Sequence, residues 1–229
     1  MVFCKPILSS LVFVCLLTGC TSMQNSDATK SATHQALEKS IEPGMMDTNN
    51  KSFTGSPSAT SEILLAAPPK SWPQIYQLNE QVVRLADFVP PGQTNLDWQT
   101  KLSFESHKDL VDLDPIEILL SEAKKSEEKC TFVQHFNLFS GFENNYPTSL
   151  RLIMCGENEN LNRGEVSMLK VIQGEDFLYI IRFLKRVDAF KINQPDVEKA
   201  EIATWSDYLR KIRLCNPTDD KHPCDAGNQ

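Results

Sequence analysis

Apolar positions change period several times along this chain, and each change marks a structural element. Ile75 to Leu78 and Val82 to Val89 are short and rich in branched residues, which predicts two strands, the second closed by Pro90-Pro91-Gly92. Leu96, Trp98, Leu102 and Phe104 then alternate with polar residues, as a third strand with one buried face would. At Asp114-Pro115-Ile116-Glu117 the period lengthens. An N-cap aspartate, a proline at the first helical position and a glutamate three residues on open a helix, and Ile116, Leu119, Leu120 and Ala123 carry its apolar stripe to about Glu128.

Four more strands follow in the pattern: Thr131 to Phe139, Ser149 to Cys155, Val166 to Ile172 and Phe177 to Leu184. Gly174-Glu175-Asp176 turns the last two into a hairpin. The run FLYIIRFL is apolar at both alternating sets of positions, so it belongs at the centre of a sheet covered on both sides. Ile202, Trp205, Leu209 and Ile212 place one stripe on a final helix from about Asp196 to Arg213. The order is three strands, helix, four strands, helix. Its short connections predict an α+β fold: a mainly antiparallel sheet of about six to seven strands, covered by two helices.

Ahead of this domain the texture differs. From Thr21 to about Lys70, Ser, Thr, Asn, Gly and Pro dominate, so residues 20–70 read as a tether and 71–214 as the folded domain. A flexible chain of this length has a root-mean-square span of roughly 40 Å. Within it ILLAAPP is too short to fold alone and reads as a poorly ordered lead-in.

At the start of the chain, Lys5 is the only charge before an apolar run from Ile7 to Leu17, interrupted by Ser9 and Ser10. That run is shorter than the roughly 20 residues a spanning helix needs. It reads as the h-region of a signal, residues 1–19. The stretch Leu17-Thr18-Gly19-Cys20 that closes it resembles the lipobox of bacterial lipoproteins. The resemblance implies cleavage before Cys20, a diacylglyceryl group on its thiol and acylation of its amino group, so that the membrane is reached through a lipid anchor. Acyl chains contribute about 0.8 kcal/mol per buried methylene, so two or three make a durable anchor. Thr21, in place of the aspartate that retains such proteins at the inner membrane, implies the outer membrane with the domain facing the periplasm.

Charge and cysteine content agree with export. The chain carries 23 basic against 30 acidic residues, a formal charge of -7, which makes nucleic acid a poor partner. Of seven cysteines, Cys4 and Cys15 leave with the signal and Cys20 takes the lipid. The remaining four point to two disulfides. Cys215 and Cys224 bracket NPTDDKHP, a turn-forming loop, and are expected to close residues 215–229 into a stapled tail; Cys130 and Cys155 are partners by elimination. The second pair carries a conflict. Opposing Cys130 to Cys155 across a hairpin sets Phe132 against Ile153 and Phe136 against Ser149, which mixes apolar and polar faces, whereas the hydrophobic register turns Cys155 away from Cys130. A bulge, or a bond at the strand ends, is the expected reconciliation.

Phe88 to Phe104, FVPPGQTNLDWQTKLSF, resembles a segment of uncharacterised bacterial envelope proteins, with its aromatic-ended strand, Pro/Gly turn and Trp-bearing strand. With the element order, it resembles a PsbP-like α/β/α sandwich, a fold best known in extrinsic subunits docked on membrane complexes. No functional residue carries over from that resemblance.

Catalytic signatures are missing from the sequence: no GxSxG, HExxH, Walker pattern or Gly-rich phosphate loop. His107, Asp109, Asp112, Asp114 and Glu117 cluster in HKDLVDLDPIE, but Asp114 and Glu117 have a capping role there. His135 reads as a sheet histidine beside Val133 and Asn137, and Trp98 and Trp205 as core. No CxxC occurs, and His222 alone lies near a cysteine. The sequence therefore predicts no catalytic residues, no metal and no cofactor. The reading it favours is a non-enzymatic accessory or scaffold lipoprotein with an envelope protein partner; the alternative is a periplasmic small-ligand or glycan-binding lipoprotein.

Overall fold

The computed structural model describes residues 61–191 and 197–224. The lipobox, Cys20 and the tether as far as residue 60 lie outside them. The elements are β1 (Ile63–Leu65), β2 (Gln74–Asn79), β3 (Val83–Phe88), β4 (Thr100–His107), α1 (Pro115–Glu127), β5 (Val133–Glu143), β6 (Tyr146–Asn158), β7 (Arg163–Gln173), β8 (Leu178–Val187), α2 (Lys199–Lys211) and β9 (Arg213–Cys215). Seven strands form one antiparallel sheet in the order β2-β3-β4-β8-β7-β6-β5, and β1 pairs with β9 in a small second sheet.

Strand alternation divides the large sheet into two faces. Leu102, Phe104, Leu152, Met168, Ile181 and Phe183 face one way and pack with Trp205, Leu209 and Ile212 of α2 and just beyond it. Ile153, Leu169, Val171 and Ile180 face the other way and pack with Leu119 and Ala123 of α1. One helix thus covers each face, the α+β sandwich that the periodicity predicts. β8 occupies the fourth of seven places, and Leu178, Ile180 and Ile181 are buried from both sides.

Several boundaries differ from the sequence expectation. Folded structure extends N-terminal to the expected boundary at residue 71: Ile63, Leu64 and Leu65 pair with Cys215, Leu214 and Arg213, and Leu64 enters the larger core. A three-residue strand leaves no periodicity to read; it is held by a partner far away in sequence. The third strand starts at Thr100, leaving Leu96 in the preceding loop at 92 % exposure. Trp98 is buried all the same, beneath the Arg186 guanidinium at 3.7 Å and the Lys101 ammonium at 5.0 Å from its ring centre. In α1, Asp114 accepts from Ile116 N at 2.6 Å, as an N-cap, but the stripe rotates: Pro115, Leu119 and Ala123 are buried while Ile116 and Leu120 remain exposed. The final helix ends at Lys211, because Ile212 is extended (φ -76°, ψ 124°) and the chain enters β9.

Both disulfides are formed, Cys130–Cys155 and Cys215–Cys224, with Cα separations of 5.6 and 4.9 Å. The ladder between β5 and β6 keeps the hydrophobic register, setting Phe136 against Leu152, until a bulge between Asn137 and Phe139 shifts it by one. Cys155 is opposite Val133, on the face of the sheet toward α1. Cys130 is not in β5. Its N–H donates to Ser126 O at the end of α1 while its backbone bridges Asn158 in the β5–β6 register, so the bond forms at the strand ends, one of the two expected reconciliations, and ties the end of α1 to the sheet.

Candidate functional site

The β5–β6 hairpin, the end of α2 and the disulfide loop converge at one end of the sandwich. Asn144 and Asn145 form the hairpin tip with φ of 50° and 63°, the left-handed pair that a two-residue turn requires and that asparagine tolerates better than most residues. Their side chains then hold the loop. Asn144 Nδ2 donates to Leu214 O at 2.9 Å and Pro223 O at 3.1 Å, and Asn145 Nδ2 donates to Lys221 O at 2.7 Å. The tight turn NN in GFENNYPT was the available sequence signal for this hairpin, which the periodicity alone ends too early.

Beside this clamp lies an open cleft of about 820 Å³. Its apolar part comes from Leu65, Phe139, Phe142 and Leu150, with Phe142 on the edge strand 72 % exposed. Arg210, Lys211 and Arg213 line it with exposed cationic side chains. Lys170, only 1 % exposed, is among the lining residues. Its Nζ donates to Glu143 Oε2 at 2.5 Å and to the Leu209 and Ile212 carbonyls at 3.0 and 2.7 Å, where the C-terminus of α2 needs a cation. Burial pushes this ammonium below its ordinary pKa, with the Glu143 charge opposing.

Glu62 anchors the N-terminal strand β1 at the β7–β8 turn. Its carboxylate accepts from Glu175 N at 2.5 Å, Asp176 N at 3.3 Å and the Tyr179 hydroxyl at 3.3 Å. A Cβ on Gly174 would meet the Phe177 backbone carbonyl at 2.8 Å as well as this carboxylate at 2.5 Å, so the turn needs glycine there. Burial raises the Glu62 carboxyl, and the two backbone donors partly offset that.

The acidic cluster expected around α1 is dispersed. Asp109, Asp112, Asp114 and Glu117 are exposed, and His107 Nε2 instead lies 3.1 Å from Glu105. Glu105, Arg182 and Glu122 form an ion-pair chain from the sheet to α1. Burial alone would raise the Glu105 carboxyl, but the His107 hydrogen bond and the Arg182 charge hold it below its usual range. These groups tie layers together. His135 Nδ1 accepts from Arg151 Nη1 at 2.6 Å, which satisfies it, and Trp205 stacks on Phe183 at 4.6 Å within the core.

No protein-family model matches this chain, and no curated protein matches it. Solved structures with a weak similarity to this chain include the following two. LpqN, involved in cell envelope biogenesis of Mycobacterium tuberculosis, is 9 % identical at a TM-score of 0.34, with 69 % of this chain and 86 % of LpqN covered. The Saccharomyces cerevisiae Ran-binding protein Mog1p is 12 % identical at a TM-score of 0.34, with 65 % and 78 % covered. Neither score is high enough to transfer a role. Among the described residues, no helix is long and apolar enough to cross a membrane.

Proposed function

We propose that this chain is an accessory lipoprotein of a bacterial cell envelope, anchored through Cys20 and acting by binding rather than by catalysis. The anchor rests on Leu17-Thr18-Gly19-Cys20 behind the apolar run. Two disulfides agree with an oxidising compartment outside the cytoplasm. With Thr21 after the cysteine, the outer membrane is the proposed site, and the domain faces the periplasm on its tether. The observation that carries the binding role is the cleft beside the β5–β6 hairpin, where exposed Phe142 and an apolar lining sit next to Arg210, Lys211 and Arg213. Such a surface suits an acidic, apolar-containing segment of an envelope protein partner: charge steers the encounter and the apolar part holds it.

The same cleft supports a second reading. An apolar lining rimmed by cations also suits a small anionic amphiphile.

A photo-crosslinking residue at position 142 of the full-length protein, produced in cells, separates these readings. The accessory role predicts one discrete protein adduct, lost in an Arg210→Glu/Arg213→Glu variant and absent from a control residue at position 76 on the opposite edge. Adducts of small mass only would favour the amphiphile, and adducts indifferent to the charge reversals would overturn both. Labelled-lipid uptake tests the anchor separately: wild type should carry the label and Cys20→Ser should not.

A further inference from the structure

The loop between Cys215 and Cys224 is built to hold one imidazole in place. Asn216 Oδ1 accepts from Thr218 N at 3.0 Å and Thr218 Oγ1 at 2.7 Å, Asp219 N donates to Asn216 O, and His222 N donates to Asp219 O. Asn216 N closes the circuit on His222 O at 2.7 Å. The His222 ring stacks on buried Tyr146, with centroids 3.9 Å apart and planes 19° from parallel, and the residue is 8 % exposed.

Its hydrogen bonding also assigns the tautomer. Nδ1 lies 2.8 Å from Asn144 O, and a carbonyl oxygen can only accept, so Nδ1 carries the hydrogen. In the neutral ring Nε2 then presents its lone pair, and it makes no hydrogen bond among the described residues. It lies 3.9 Å from Glu175 Oε1 and 3.9 Å from Asp219 Oδ2, beyond hydrogen-bond reach of both. The three ligand atoms all lie within 4.8 Å of one another. Ligands at about 2.0–2.2 Å from a shared ion stand roughly 3–3.5 Å apart, and the exposed Glu175 side chain can close that difference. A backbone carbonyl that fixes one ring nitrogen so that the other faces outward is a common support for metal-binding histidine.

We propose that Glu175, Asp219 and His222 bind a first-row divalent cation, with Zn²⁺ the ion best suited to one imidazole and two carboxylates. Mg²⁺ and Ca²⁺ prefer all-oxygen sets, while imidazole nitrogen favours the later first-row metals, and Zn²⁺ imposes no geometry of its own. The ion links the β7–β8 turn, which carries Glu175, to the disulfide loop, which carries the other two ligands. Three protein ligands leave further coordination positions for water or for a donor from another molecule. None of the three ligands lines the cleft, although the disulfide loop and Asn144 border both.

Calorimetric titration of the disulfide-bonded protein, stripped with chelator, tests the site with Zn²⁺ and with Mg²⁺ as control. The expected result is saturable one-to-one Zn²⁺ binding at pH 7, with no heat from Mg²⁺. His222→Gln should weaken binding ~10-fold or more. Because that change also removes the stack on Tyr146, Glu175→Gln on the exposed side provides a second arm that leaves the fold intact, with a loss of the same order. If Zn²⁺ produces no saturable heat, or Glu175→Gln and Asp219→Asn bind it as wild type does, the proposal is overturned.

Discussion

Cys130 and Cys155 are bonded although the strand ladder sets Cys155 against Val133 and Cys130 against Asn158. The bond runs diagonally across the open end of the β5–β6 hairpin. Cys155 shares the sheet face of Ile153, over which α1 lies, and Cys130 hangs from the last turn of that helix. The disulfide therefore anchors the C-terminal end of α1 to β6.

Replacing both cysteines, Cys130→Ser/Cys155→Ser, should cost about 3 kcal/mol in chemical denaturation. Amide exchange should accelerate over the last turn of α1 and leave β7 and β8 protected. Uniform acceleration across the sheet would show that the bond serves the whole domain and not the helix end.

Lys170 is a buried cation with three acceptors. Lys170→Met fills the volume but takes the ammonium from the Ile212 carbonyl, from the Leu209 carbonyl, which keeps only the Ile212 N–H, and from Glu143, which loses its counter-charge. A loss of about 2–4 kcal/mol is expected. Adding Glu143→Leu should restore part of it, because the carboxylate no longer lacks a partner; the double-mutant cycle in urea reads this directly.

Glu165 gives a pH signature. Burial raises its carboxyl above the ordinary value of 4.5, with the Arg186 charge opposing. The folded state then holds the proton more tightly than the unfolded state. The stability this adds is fully present below the unfolded pKa and is lost as pH rises through the folded one. Glu165→Gln removes the ionisation, so the variant should be more stable than wild type at pH 7, with the difference closing as pH falls toward 4.5. A difference that widens on acidification, measured by denaturant midpoints, contradicts the assignment.

The N-terminal boundary is testable by proteolysis. With Leu64 4 % exposed and Glu62 7 % exposed, the resistant core should begin at or before Glu62. A chain starting at Trp72 loses the buried leucine, the ladder to β9 and the Glu62 hydrogen bonds. It should be less stable by about 2–4 kcal/mol. Equal midpoints for the two chains would place β1 outside the cooperative unit.

The apolar runs Val166 to Ile172 and Phe177 to Leu184, the helical spacing of Trp205 and Leu209, and the Asp114-Pro115 cap were enough to predict an α+β sandwich with a central FLYIIRFL strand. These signals are local: period and capping act within a few residues, and the core they imply follows from burying every apolar face. The parts that sequence did not reveal depend on partners distant along the chain. β1 exists only because β9 pairs with it, and the stripe of α1 rotated because the sheet beneath it selected Leu119 and Ala123 over Ile116 and Leu120. Cys130 reaches Cys155 at the open end of the β5–β6 ladder, one of the two routes the sequence allowed, but only the folded chain shows that the same residue also closes the last turn of α1. Glu175 stands beside Asp219 and His222 for the same reason: a hairpin turn and a stapled loop meet only after the sheet has folded, and no local pattern records where two distant segments come together.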